Sequence, residues 1–178
     1  MSAWKVVDRE DDMNVIRSTY AFKLKRYPDG LIINFKARFC AKGDMQLEGI
    51  DFFETYAPIV QWTTVQLMLI LEVFLGLKYK QGNVTAAFLR ADLGKYEKVF
   101  VEMPRGLKFN GNNGRRSVMG LLKTLYVLRQ SPRSFWKYMT ANMKLCGMVQ
   151  YKTNPCLFIG NKVMGIIYVE NILFWSVN

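Results

Sequence analysis

The stretch that most limits how this chain can fold is Ile166-Ile167-Tyr168-Val169-Glu170-Asn171-Ile172-Leu173-Phe174-Trp175. Two apolar, β-favouring runs flank a polar pair, which predicts a buried hairpin that holds a charged tip out of its core. Such a hairpin needs covering elements. With 178 residues, 51% of them hydrophobic, the chain can bury one core of ordinary size, so one folding unit in one or two lobes is expected.

Several classes of protein are excluded or disfavoured early. The longest apolar stretches, Leu67 to Leu71 and Met164 to Val169, fall far short of the roughly 20 residues that span a bilayer, so no membrane partner is expected. Trp4 to Asp12 is charged where a signal peptide would be apolar, which makes a cytoplasmic or nuclear setting the expectation. Cys40, Cys146 and Cys156 are odd in number, show no Cys-x-x-Cys spacing and have no histidine beside them. Buried thiols are therefore expected rather than a zinc or disulfide framework. The lack of any histidine also removes Ser-His and Cys-His hydrolases.

The net charge of +11 is unevenly distributed. No acidic residue lies between Glu102 and Glu170, whereas Arg105, Lys108, Arg115, Arg116, Lys123, Arg129, Arg133, Lys137, Lys144, Lys152 and Lys162 all fall there. The other fourteen cations meet fourteen acids. A net field concentrated in one segment fits a polyanion such as nucleic acid, and a solvated basic face is the alternative. The acidic trio Glu10-Asp11-Asp12 reads as a solvated turn rather than a metal site.

Along the chain, an entry segment leads to Ala21-Phe22-Lys23-Leu24-Lys25, the turn Tyr27-Pro28-Asp29-Gly30, and Leu31-Ile32-Ile33-Asn34-Phe35, a hairpin. Its second arm continues through Lys36, Arg38 and Lys42, whose even spacing predicts one shared face. Next comes an aromatic-rich loop over 49–62. Thr63 or Thr64 is expected to cap a helix that runs to Leu77, almost wholly apolar and so buried on most sides. A strand is predicted over Leu77 to Gly82 and another over Glu97 to Met103, with Val99 and Val101 on one face, leading to the turn Pro104-Arg105-Gly106. Ser131 and Pro132 predict a helix start, as N-cap and first helical residue, with Gly147 as its stop. On that helix Phe135, Trp136, Met139, Met143 and Cys146 share one side, and Arg133, Lys137 and Lys144 share another.

The hairpin tip resembles the Tyr-Val-Asp-Asp motif of copia-type retrotransposon reverse transcriptases, with Glu170 and Asn171 in place of the two aspartates. The resemblance extends in order over nearly the whole chain, from about Trp4 to Trp175. It takes in Tyr27-Pro28-Asp29-Gly30, Lys36-Ala37-Arg38 and the stretch from Gly49 to Trp62 with Thr63 and Thr64. Asn83-Val84-Thr85-Ala86-Ala87-Phe88-Leu89-Arg90-Ala91-Asp92-Leu93 is similar to the family's Asp-Val-Lys-Thr-Ala-Phe-Leu-Asn-Gly-Asp-Leu, whose first aspartate binds both metals and is replaced here by Asn83. Residues 121–136 resemble the segment beneath the incoming nucleotide and template, with Val127 where the family has glycine.

This resemblance implies an α+β fold, a right-hand polymerase fragment with fingers and palm, the palm an antiparallel sheet backed by helices, and no thumb. The whole of 1–178 would be that fragment, with a fingers-like hairpin at about 20–45 and palm motifs at about 77–103 and 121–178. It would be a piece of a Pol polyprotein or a decayed insertion. By family the activity is RNA-directed DNA polymerisation, a nucleotidyl transfer with two Mg²⁺. The carried-over catalytic positions are Asn83, Glu170 and Asn171, and the metal positions Asn83, the Val84 carbonyl and Glu170. Lys36, Arg38, Phe88 and Gln130 would contact the deoxynucleoside triphosphate, Phe88 by closing the sugar pocket. Arg129, Arg133, Lys137 and Lys144 would contact an RNA template, RNA–DNA hybrid or DNA. With one carboxylate where the family has three, an impaired copy is expected. The alternative is a non-enzymatic, basic nucleic-acid-binding remnant of a decayed retroelement.

Overall fold

The run from Ile166 to Trp175 folds as a hairpin, and its place in a sheet explains why both arms are apolar without a break. In the computed structural model residues 2–104, 106–107 and 116–177 are described, so Arg105, Lys108 and Arg115 lie outside the described residues. Strands β1 (Trp4–Asp8), β2 (Val15–Ile16), β3 (Ser18–Arg26) and β4 (Ile32–Ala41) come first. Helix α1 (Trp62–Leu75) and β5 (Lys78–Asn83) follow, then β6 (Phe100–Glu102), β7 (Ser117–Leu121) and α2 (Ser131–Leu145). The chain continues through β8 (Val149–Gln150), β9 (Leu157–Gly160), β10 (Val163–Tyr168) and β11 (Asn171–Ser176). This is a mixed α+β fold that divides into two units, Met1–Thr55 with Asp92–Ser131, and Tyr56–Ala91 with Pro132–Asn178.

The second unit is a five-stranded antiparallel sheet in the order β5-β11-β10-β9-β8 with apolar clusters on both faces. Ile166, Leu173 and Trp175 join Met68 and Val65 of α1 on one face, while Ile167, Ile172 and Phe174 join Phe135, Met139 and Met143 of α2 on the other. Strands covered on both faces need apolar residues at every position. Trp175 is fully buried, and its indole N–H donates to a Glu72 carboxylate oxygen at 2.7 Å. Gly165 sits opposite Phe174, and a Cβ there would lie 3.0 Å from the Phe174 ring and 3.1 Å from the Met143 methyl.

Both helices depart from their expected limits. Helix α1 starts at Trp62 without a side-chain cap, and the Thr64 hydroxyl instead accepts from Asn154 Nδ2 at 2.7 Å. It stops at Leu75 because Gly76 turns left-handed, with φ 62°. Burial on most sides is corrected: Met68 is buried, but Trp62, Ile70, Val73 and Phe74 are exposed, because the sheet covers only one face of the helix. Helix α2 begins one residue early, with Ser131 already helical and its hydroxyl donating to the Leu125 carbonyl at 2.6 Å. Gly147 does end it, with φ 78°: Met148 N–H bonds the Met143 carbonyl and Gly147 N–H the Lys144 carbonyl. Cys146 is exposed, which corrects both its place on the apolar side and the expectation of three buried thiols.

The first unit holds a four-stranded sheet, β1-β7-β6-β2, in which β2 runs parallel to β6. The entry segment is thus a paired strand, β1, in register with β7 from Trp4↔Leu121 to Asp8↔Ser117. Val99 and Val101 are buried, as their alternation predicts, although the strand shortens to Phe100–Glu102. The unit also contains the two-stranded ribbon β3–β4. Its turn is closed by Gly30 at φ 91° and by the Asp29 carboxylate, which accepts from Leu31 N–H at 3.0 Å. Strand β4 ends at Ala41, so Lys42 leaves the face it was expected to share with Lys36 and Arg38. Glu10, Asp11 and Asp12 lie exposed at a turn.

Candidate active site

The two amide positions of the hairpin tip and the neighbouring strand meet directly. Asn83, the last residue of β5, stands opposite Asn171, the first residue of β11, and its Nδ2 donates to Asn171 Oδ1 at 3.1 Å. Val84 N–H donates to the Glu170 carbonyl at 2.8 Å, which ties the chain after β5 to the turn. Tyr168 and Asn171 pair across that turn, leaving Val169 and Glu170 as its two central residues. Val169 has φ 51°. A β-branched residue in the left-handed region is strained by roughly 1–3 kcal/mol, a cost borne where the hairpin twist and the neighbouring register demand it.

The donor set decides what such a tip can hold. Glu170 brings one carboxylate, without a hydrogen-bond or ion-pair partner among the described residues, while Asn83 and Asn171 bring neutral amides already bonded to each other. No group of three His, Cys, Asp or Glu able to hold a metal occurs among the described residues. Two divalent cations a few ångströms apart repel strongly and need anionic ligands to offset that repulsion. The residues present do not fit a two-metal centre.

The other expected contacts are spread over both units. Phe88 sits on a 3-10 turn, Ala87–Arg90, half-buried against the α2 cluster and edge-on to Phe135 at 6.1 Å. Lys36 is exposed on β4, while the Arg38 guanidinium lies over the Tyr126 ring at 5.7 Å. Gln130 is fully buried: its Oε1 accepts from Gln46 Nε2 at 3.0 Å and its Nε2 donates to the Asp51 carbonyl at 3.0 Å. Arg129 belongs to the same knot. Its Nε donates to the Gly43 carbonyl at 3.0 Å, its backbone N–H to Gln46 Oε1 at 2.9 Å, and its guanidinium covers the Phe52 ring. Asp51, buried beside them, accepts from Leu47 N–H at 2.8 Å and from Asn14 Nδ2. Arg133 Nη1 donates to the Tyr56 carbonyl at 3.0 Å, whereas Lys137 and Lys144 are exposed along α2. The basic segment is not wholly uncompensated, because Lys123 pairs with Asp92 at 2.7 Å.

Sequence reasoning missed the Gln46-Asp51-Gln130 knot. The only signal was polar residues set in apolar surroundings. It also missed what Val127 does: this residue takes φ 74°, and its carbonyl oxygen lies so near Gly43 that a Cβ there would come within 2.1 Å. The close approach falls on Gly43, which supplies the missing side chain, and the left-handed turn falls on Val127, which is exposed.

Comparison with known proteins gives the family. The family model described as reverse transcriptase (RNA-dependent DNA polymerase) matches residues 1–178, and the chain belongs to that family. Its relatives are copia-type. It is 31% identical over 175 residues to the retrovirus-related Pol polyprotein from transposon TNT 1-94 of Nicotiana tabacum, covering 96% of this chain and 13% of that protein. It is 28% identical over 165 residues to the Pol polyprotein from transposon RE1 of Arabidopsis thaliana, covering 90% of this chain and 11% of that protein. The Ty1-ER2 Gag-Pol polyprotein of Saccharomyces cerevisiae is 30% identical over 187 residues, covering 99% of this chain and 10% of that protein. The chain thus corresponds to the reverse transcriptase domain of copia-type Pol polyproteins and spans about an eighth or less of these relatives. Among the described residues no helix is long and apolar enough to cross a membrane.

Proposed function

We propose that this chain is the fingers and palm portion of an RNA-directed DNA polymerase whose catalytic centre has lost the charge it needs, and that nucleic-acid binding is the function it keeps. The observation that carries this reading is the hydrogen bond between Asn83 and Asn171, two of the positions where the family pattern has catalytic aspartates. A pair of carboxylates there would repel until a cation joined them, whereas a pair of amides joins without one. The reverse transcriptase family generally uses Mg²⁺, and one carboxylate is a poor substitute for three. If transition-state stabilisation falls by about 4 kcal/mol, the rate falls roughly a thousandfold.

In this reading the five-stranded sheet with α1 and α2 is the palm, and the β3–β4 ribbon belongs to the fingers. Lys36 and Arg38 would meet the triphosphate, and Phe88 the sugar. Gln130 is set aside as a ligand because both ends of its amide are already bonded in the interior. Arg133, Lys137 and Lys144 recur on one side of α2 at helical spacing and suit a phosphate backbone, which makes RNA–DNA hybrid the natural ligand.

The test pairs calorimetry with primer extension. The chain as it stands should bind Mg²⁺ weakly and fail to extend a primer, and Asn83→Asp, Glu170→Asp and Asn171→Asp together should raise Mg²⁺ affinity. Robust extension by the unaltered chain would overturn the impaired-centre reading. No gain in Mg²⁺ binding by the triple variant would mean that these positions do not form one metal site.

A further inference from the structure

Helix α1 is apolar on the side that points away from its sheet as well as on the side that packs. Val65, Met68 and Leu71 join Ile166, Leu173 and Trp175 beneath it. The opposite side carries Trp62, Leu67, Ile70, Val73 and Phe74, with Val73 86% exposed, Phe74 82%, Trp62 69% and Ile70 64%. Thr63 and Gln66 are the polar residues exposed there, and neither is charged. A helix that is hydrophobic all round is ordinarily an interior element, and an exposed apolar stripe of this size marks a contact surface.

Charge narrows what can cover it. No lysine or arginine occurs between Lys42 and Lys78 in a chain of net charge +11, and the one acid of α1, Glu72, is bonded to the Trp175 indole. A polyanion would find no cation on this face. Helices that lie in a lipid interface carry lysines and arginines along their polar side, and α1 has none. A second copy fits, because here two strongly basic molecules can meet without setting like charges together. The β3–β4 ribbon also exposes Phe22 and Phe35, but a second copy there would bring Lys23, Lys25, Lys36 and Arg38 against their equals.

Shape points the same way. Trp62 and Phe74 stand on opposite flanks of the stripe, about 18 Å apart along the axis at 1.5 Å per residue. Beside Trp62 opens a cleft of about 470 Å³ whose apolar walls include Ile59, Val65, Ile166 and Leu173. A two-fold axis near Ile70 sets two α1 helices antiparallel, lays each Phe74 over the other copy's cleft and keeps the two Lys78 residues at opposite ends. The exposed apolar side chains of the stripe amount to several hundred square ångströms, and the cleft brings the contact toward the roughly 800 Å² per partner that a stable dimer buries.

We propose that α1 is the contact helix of a symmetric homodimer, in which two copies of this chain meet through Trp62, Leu67, Ile70, Val73 and Phe74. The contact goes beyond the proposed function and needs neither metal nor nucleic acid.

The experiment is sedimentation velocity on the full chain, freed of nucleic acid by nuclease and high salt. The mass should rise with concentration from 20.7 kDa to twice that value. Ile70→Glu or Ile70→Lys alone should weaken association roughly tenfold or more, because each sets two like charges together at the axis. Ile70 is exposed, so the far-ultraviolet circular dichroism spectrum should not change. An equal mixture of the two variants should associate again, because each pair then carries opposite charges. Val73→Thr, which nearly keeps the side chain's size, should also weaken the dimer, and it decides the matter if the charged variants misfold. A chain that stays at 20.7 kDa throughout overturns the proposal, as does a dimer that none of these variants weakens. Failure of the mixture to associate overturns the symmetric contact. Dissociation by Phe22→Ala with Phe35→Ala, but not by Ile70→Glu, would place the contact on the ribbon instead. Sedimentation of the natural chain with phosphatidylcholine and phosphatidylserine vesicles, in place of self-association, would give the face to lipid and overturn the dimer.

Discussion

The β10–β11 hairpin and the β3–β4 ribbon are both antiparallel pairs rich in aromatic and aliphatic residues, and their surroundings make them different objects. In the first, neighbouring strands extend the sheet on either side and apolar clusters lie on both faces, so that Trp175 and Ile166 are fully buried. In the second, no third strand among the described residues pairs with the ribbon, and Phe22 and Phe35 are exposed. A strand pair becomes core or open ribbon according to what covers it. Stability should therefore reside in the first far more than in the second.

The largest expected effect tests that division. Trp175→Ala should destabilise the chain by about 3–5 kcal/mol, since it opens a large cavity and leaves the Glu72 carboxylate without its indole donor. Phe22→Ala should cost no more than about 0.5 kcal/mol. Urea denaturation of both variants measures the contrast, and similar losses would break it.

A second variant asks whether the first unit relies on polar contacts where the second relies on apolar ones. Gln130→Ala removes a buried amide that answers both Gln46 and the Asp51 carbonyl, and should cost about 2–3 kcal/mol in the same assay. A loss below about 0.5 kcal/mol would show that water or rearrangement replaces the amide.

A smaller, stabilising change should come from Val127→Gly. It relieves a left-handed β-branched residue, worth about 1–2 kcal/mol, against about 0.5–1 kcal/mol of extra backbone entropy in glycine. A net gain near 1 kcal/mol is expected in the denaturation midpoint. Destabilisation would mean that the Val127 side chain makes contacts worth more than its strain.

The smallest effects concern the thiols. Exposed Cys146 should be alkylated promptly in the native protein, whereas Cys156 should resist, because burial pushes its thiol up to about 11. Folding holds that proton more tightly. The stability it contributes is therefore intact below its ordinary value of 9.0 and is lost as pH rises toward about 11. Thermal melts over that window should fall more steeply for the natural chain than for Cys156→Ala, and parallel curves would remove Cys156 as the cause. Cys40 is also raised by burial, against the lowering pull of Arg38.

Much of the fold could be read from residue pattern. The apolar arms around Val169 and Glu170 predicted a buried hairpin, Gly147 marked the end of α2, and the alternation around Lys23 and Lys25 predicted a ribbon whose second arm sets Lys36 and Arg38 on one face. These features depend on neighbours in sequence, and local periodicity reports them. The candidate site was legible as two separate segments, the polar tip between two apolar hairpin arms and the block from Asn83 that resembles the family's metal-binding pattern.

The tertiary structure decided what no local pattern contains. Register set Asn83 against Asn171 and turned two substitutions into one hydrogen bond. Long-range packing enclosed Gln130, paired Lys123 with Asp92, and left Trp62, Val73 and Phe74 on α1 in solvent although their composition spoke for burial. The physical reason is common to all of these. Apolar residues state that a surface should be covered and polar residues that a bond should be made, but which surface and which partner depend on contacts between residues far apart in the chain.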